Sequence, residues 1–344
     1  STRPMLVLPL ASYRTREQRR TRDAPQPCFQ LQNEGGVTIS STNRQAVQPG
    51  AGTIHNFSAG PGALPECVLR EAREAIAEVP GTGLSVLGIS HRSAWFRDVV
   101  DEAALNLRTL LALSPDYEVL FLQGGASLQF SMIPMALMRG TSKAADYVVS
   151  GYWSAKAVAE AEREGTVHTV WSGREAGYSR LPRDDELAYD GHAAYLHYAS
   201  NETVEGLQFQ RILGRDDVPR VCDMSSDFLS KPIEAKRFNL IYAHAQKNLG
   251  PAGVTVVLLH RGVLNDMPAD IPAMLDYRQH VAAGSIYNTP PVFAIYVVLL
   301  VTRWLLARPG GLAGMAATNE AKAKRLYELL DGSAGFYRGR AAMA

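Results

Sequence analysis

The sequence predicts an α/β fold, a mainly parallel sheet of seven strands covered by helices on both faces. Three observations carry this. From Phe57 onward, strand and helix signals alternate along the chain. The strand segments are near-continuous apolar runs, as expected of strands buried on both faces. No segment of this region is repetitive or of low complexity.

The elements follow in order. Residues 1–52 stand apart, with seven arginines against three acids and no sustained periodicity, so a disordered leader is expected there. An organelle transit peptide and a non-native leader are the two readings of its arginine content. Residues 53–94 lead into the large domain and hold an amphipathic helix from Glu66 to Val79. The large domain itself is expected over 95–310. It starts with a second amphipathic helix, Trp95 to Leu113. "YEVLFLQ" (Tyr117 to Gln123) reads as a buried strand, then Gly124-Gly125, then a helix through Met138. "DYVVS" (Asp146 to Ser150) precedes a helix from Trp153 to Glu164. "TVHTVW", "AAYLHYA", "VPRVCD", "LIYAHA" and "VTVVLLH" complete the strands, the last ending at His260. "VFAIYVVLLV" (Val292 to Val301) is the most apolar stretch, yet at ten residues it is half of the roughly 20 that a membrane helix needs. It reads as a buried helix. Residues 311–344 are expected to begin a smaller C-terminal α/β domain.

Composition narrows the function. The chain has 344 residues, 46% hydrophobic and 20% charged, with net charge +1. That suits an enzyme-sized globular protein and gives no reason to expect a nucleic acid or an anionic membrane as partner. Cys28, Cys67 and Cys222 are widely spaced and form no CxxC pair, so neither a disulfide framework nor a metal site is expected. A reducing, cytoplasmic setting follows, with organelle targeting by the Arg-rich leader as the alternative.

In parallel sheets, ligands sit outside the carboxyl ends of the strands. Four strand ends here carry suggestive residues. "QGGASLQF" would present the amides of Ala126 and Ser127 at a helix N-terminus, where phosphate binds readily. Trp153 opens a helix after a strand and offers a flat face. "SNETVEG" places Thr203 beyond another strand. Asp223 ends "VPRVCD", and Lys247 follows 24 residues later at the end of the next strand, before Gly250-Pro251-Ala252-Gly253. Alone, each has an ordinary reading: a structural turn, a packing tryptophan, a helix cap, a solvated loop lysine. Together they match the needs of pyridoxal phosphate. A lysine amine forms a Schiff base with its aldehyde, an aspartate keeps its ring nitrogen protonated, amides hold its phosphate and an aromatic face covers its ring.

The stretches "SHRS", "QGGASLQF", "GYWSAKA", "NET", "DMSSDFLSKP", "AQKNLGPAG" and "YNTPP" resemble the phosphoserine aminotransferase family, within the class V pyridoxal-phosphate aminotransferases of the type I fold. The resemblance runs from about Asn56 to Tyr337. It implies Lys247 as the Schiff-base lysine, Gln246 beside the phosphate, Asp223 at the ring nitrogen, Trp153 on the ring and Thr203 at the ring's 3′-oxygen. Ala126 and Ser127 would cradle the phosphate. Asn288 and Thr289 would reach the phosphate of a partner subunit, making a homodimer with shared sites. His91 and Arg92 would bind the substrate's anionic groups. The implied reaction moves an amino group from glutamate to 3-phosphohydroxypyruvate, giving O-phospho-L-serine and 2-oxoglutarate in serine biosynthesis.

Two departures accompany it. The leader has no counterpart in the family pattern. The pattern also continues for roughly fifty residues past this chain's end, with a further substrate-binding arginine and histidine, so the small domain is expected to be truncated. The alternatives are another class V aminotransferase, or a truncated cofactor-binding dimer with little turnover. A cysteine desulfurase is disfavoured, because neither Cys67 on a helix nor Cys222 on a core strand is a mobile nucleophile.

Overall fold

The computed structural model describes residues 60–339, 341 and 342, so the Arg-rich stretch 1–52 lies outside the described residues. Helix α1 (Glu66–Ala77) buries Val68, Ala72 and Ala75 along one stripe, and α2 (Ala94–Leu111) buries Phe96, Val99, Val100, Ala103 and Leu107. Ser93 caps α2 by accepting a hydrogen bond from the Phe96 amide. Strand β1 (Tyr117–Leu122) leads to α3 (Gly125–Leu137), and β2 (Ala145–Val149) to α4 (Tyr152–Ala161). Then follow β3 (Val167–Ser172), β4 (Leu196–Ala199), the short pair β5 (Asn201–Glu202) and β6 (Leu207–Gln208), β7 (Arg220–Asp223), β8 (Leu240–His244) and β9 (Thr255–His260). Helices α5 (Tyr277–Ala282), α6 (Val292–Ala307) and α7 (Gly311–Asp331) complete the described chain.

The seven expected strands form one sheet in the order β1-β9-β8-β7-β4-β2-β3. Strands β8, β7, β4, β2 and β3 pair in parallel, whereas β9 runs antiparallel to both of its neighbours, β8 and β1. The sheet is therefore mixed, and the reason lies after Lys247. The link from His244 to Thr255 is shorter than the dozen or so residues of a parallel crossover, so the chain must double back. Gly253, at φ +116°, is one residue of that reversal.

Strands β1, β8 and β9 feed two apolar layers in alternation. In β8, Ile241 and Ala243 join the layer containing α1, α2 and α6, while Leu240 and Tyr242 join the one containing α3 and α4. The apolar stretch expected as a buried helix lies within α6, whose residues from Ala294 to Thr302 are all buried. Among the described residues no single helix is long and apolar enough to cross a membrane. Helix α7, at the start of the expected small domain, is a single 21-residue helix that buries Leu312, Met315 and Ala323.

Candidate active site

The carboxyl ends of the parallel strands surround a cavity of about 390 Å³. Its lining joins Gly124 to Ser127 after β1, Trp153 after β2, Ala199 and Thr203 around β4 and β5, Asp223 at the end of β7 with Ser226 beyond it, and His244 at the end of β8 with Gln246 and Lys247 beyond it. Ala126, Ser127, Trp153, Thr203, Asp223, Gln246 and Lys247, distributed over five stretches of sequence, thus meet in one space.

Each side chain is held by its own element. Gly124 and Gly125 both have left-handed backbone conformations, at φ +85° and +69°. A side chain on Gly124 would drive its Cβ to 2.5 Å from Leu128, so only glycine lets the strand turn this tightly into α3. That turn aims the first amides of α3 at the cavity. Lys247 rides a turn fixed from several sides: the Leu249 and Gly250 amides both donate to the Ala245 carbonyl at 2.9 Å, and Asn248 Nδ2 donates to the Phe228 carbonyl at 2.7 Å. The Gly62 amide donates to the Gln246 carbonyl at 2.7 Å. Lys247 Nζ itself has no hydrogen bond or ion pair among the described residues.

Asp223 lies in register between Ala199 of β4 and Tyr242 of β8. Its Oδ1 accepts from the Ser225 amide at 2.8 Å, and burial pushes its carboxyl up to about 6. Beneath it, the Tyr242 hydroxyl lies 2.8 Å from His197 Nε2. His197 is sandwiched between the rings of Tyr147 and Tyr242, and burial lowers its imidazole to about 3, so it stays neutral. The buried Asp227 carboxylate also raises Asp223, and no cation pairs with Asp223 among the described residues.

Sequence reasoning passed over Glu202, the middle residue of "NET". Its buried carboxylate accepts from the Trp153 amide at 3.1 Å, the Ser154 amide at 2.9 Å and the Ser154 hydroxyl at 2.5 Å. It caps α4 from the β5 loop, tying the Trp153 wall to the Thr203 wall. An acid directly before the candidate Thr203 was the available signal. Thr203 Oγ1 is hydrogen-bonded to Ser226 Oγ. His244 also lines the cavity and was not singled out.

Other expected residues stand elsewhere. His91 and Arg92 lie ahead of α2 and outside this cavity, with the Arg92 amide donating to Ser90 Oγ. Asn288 and Thr289 are outside it as well; the Thr289 carbonyl accepts from Gln123 Nε2 at 3.0 Å.

The arrangement offers free amides for an anion, a buried carboxylate short of a cation, an unpaired amine and an indole wall. This is the donor set of a phosphorylated, aldehyde-bearing pyridine, and the residues present fit that group. The family model for class-V aminotransferases matches residues 54–342. The chain belongs to the class-V aminotransferases. Within that family it is 45% identical to the phosphoserine aminotransferase of Rhodopirellula baltica over 304 residues, covering 88% of this chain and 81% of the relative. The phosphoserine aminotransferase structure from Bacillus circulans subsp. alkalophilus superposes with TM-score 0.80 at 44% identity, covering 83% of this chain and 79% of that one. The pyridoxal-phosphate-bound enzyme from Trichomonas vaginalis gives 0.78 at 39%, covering 82% and 83%.

Proposed function

We propose that this class-V aminotransferase uses pyridoxal phosphate to move the amino group of glutamate to 3-phosphohydroxypyruvate, forming O-phospho-L-serine and 2-oxoglutarate. The observation that carries the reading is the single cavity holding both Lys247 and Asp223, and the substrate pair rests on the likeness to phosphoserine aminotransferases.

Bound pyridoxal phosphate supplies an electrophilic aldehyde and an electron-accepting ring, the chemistry by which amino groups change carbon skeletons. The chain's residues supply position and proton traffic. Ala126 and Ser127 would offer amides to the phosphate, with Gln246 lining the same cavity beside them. Asp223 would face the ring nitrogen, where its carboxylate would favour the protonated form. Trp153 would cover the ring, and Thr203 would donate to its 3′-oxygen. Lys247 Nζ would shuttle the proton between the substrate Cα and the cofactor's C4′ carbon. Asn288 and Thr289 would reach the cofactor phosphate of the partner subunit in a homodimer, and His91 and Arg92 would bind the substrate's anionic groups, Arg92 as a bidentate anchor.

The test is optical and chemical. The loaded chain should show a visible absorption band that shifts when glutamate is added, and 3-phosphohydroxypyruvate should then yield phosphoserine. A band indifferent to glutamate overturns the assignment.

A further inference from the structure

His244 closes β8 and has no part in the reaction just described. Its imidazole lies against the first residue of α3: a methyl group built on Gly125 would sit 3.6 Å from both Cε1 and Nδ1 of His244. The ring therefore borders the α3 amides on the cavity side, next to Ala126 and Ser127. Neither ring nitrogen has a hydrogen-bond partner among the described residues. By contrast, His197, His168, His260 and His280 each use a ring nitrogen on a protein group. The His244 backbone is fixed, its amide donating to Ser225 Oγ at 3.1 Å, so the ring is presented from a rigid strand end. A half-buried imidazole with both nitrogens free, beside a row of free amides, is short of an acceptor.

We propose that His244 is a further ligand of the cofactor's phosphate, donating an imidazole N–H to the oxygen-rich group that the first turn of α3 receives. The proposal rests on the cofactor reading above and deepens it. The neutral ring suffices, because an imidazole carries one N–H in that form. Burial, with the Lys247 charge as a lesser cause, holds this imidazole below its ordinary value, so in the free site it is the neutral ring that waits.

The experiment separates phosphate from the rest of the cofactor. Affinities for pyridoxal phosphate and for pyridoxal, which lacks the phosphate, are measured by absorption titration on the wild-type chain, H244L and H244Q. A charge-assisted hydrogen bond lost to leucine should weaken pyridoxal phosphate about tenfold to a hundredfold. Pyridoxal should be unchanged, and glutamine, which keeps a donor, should recover most of the loss. Equal weakening of both compounds would show a packing role and overturn the proposal, as would unchanged affinity for pyridoxal phosphate. Inorganic phosphate supplies an arm independent of the cofactor reading. If the wild-type chain takes up neither pyridoxal compound, that reading falls. The His244 proposal is then decided by whether phosphate raises the Tm of wild type more than that of H244L and H244Q raises it in between, or whether all three respond alike.

Discussion

At the scale of single residues, Asp223 is the group whose ionisation matters most. Its carboxyl is held up to about 6 by burial, against an ordinary 3.8, so the folded cofactor-free chain keeps a proton there that the unfolded chain has released. Stability from this group therefore falls as pH climbs from about 4 to about 6, and the deficit at neutral pH is up to about 3 kcal/mol. Asp223→Asn should remove it: denaturant melts of cofactor-free chains at pH 4.5 and 7 should show the variant gaining on wild type by that order. Turnover should drop roughly a hundredfold or more if Asp223 supplies the counter-charge proposed for the ring nitrogen. A variant no more stable at pH 7 would contradict the burial argument. Lys247→Ala should remove the borohydride-fixed cofactor label from the peptide holding residue 247; a label found on another lysine would refute its role. Both residues were legible in the sequence, because charged groups at the ends of apolar strands demand a partner. His244 was not, since a histidine closing a strand has many ordinary explanations and only the fold reveals that α3 passes beside it.

Among the elements, the junction of α4 with the β5 loop is where the site is most sensitive. Gly151 has extended backbone at φ −177°, so its glycine is required by space alone: an added Cβ would meet Glu205 Oε2 at 2.5 Å and Glu202 Cδ at 2.7 Å. Gly151→Ala should therefore dislodge the cap and cost about 1–3 kcal/mol, and Glu202→Gln about 1–2 kcal/mol. Both should weaken cofactor binding while leaving Trp153 in place in the sequence. Chemical melts and cofactor titration check this together; a Glu202→Gln chain as stable and as tightly bound as wild type would show that the cap does not position the walls. The order of strands and helices was readable from apolar runs broken by glycine and polar residues. The hairpin of β5 and β6 was not, because two-residue strands carry no periodicity. The antiparallel course of β9 was implicit in the short link after Lys247, a constraint of length rather than of composition.

For the whole molecule, the proposed dimer makes a complementation prediction. Asn288 and Thr289 stand outside the cavity of their own chain, while Leu69, Leu84 and Leu87 near α1 expose apolar surface of the kind a subunit contact covers. Lys247→Ala chains and Asn288→Ala/Thr289→Ala chains should each be nearly inactive alone. Refolded together in equal amounts they should recover roughly a quarter of wild-type activity, since half the dimers then hold one intact site of two. No recovery, or full activity in a sedimenting monomer, would rule out a shared site.

The position of β1 bears on how the protein is made. Among the described residues this strand sits at the edge of the sheet and pairs only with β9, from Tyr117 against His260 to Leu122 against Thr255. Its partner thus leaves the ribosome about 140 residues later, and long-range pairing of this kind is slow to form. Until then the glycine turn after β1 has no fixed place beside Asp223 and Lys247. A nascent chain released before residue 260 should be unable to retain pyridoxal phosphate, whatever local helices it has formed. Cofactor capture would mark the end of synthesis of the sheet, and free pyridoxal phosphate would act by mass action as a ligand that draws late intermediates toward the folded state.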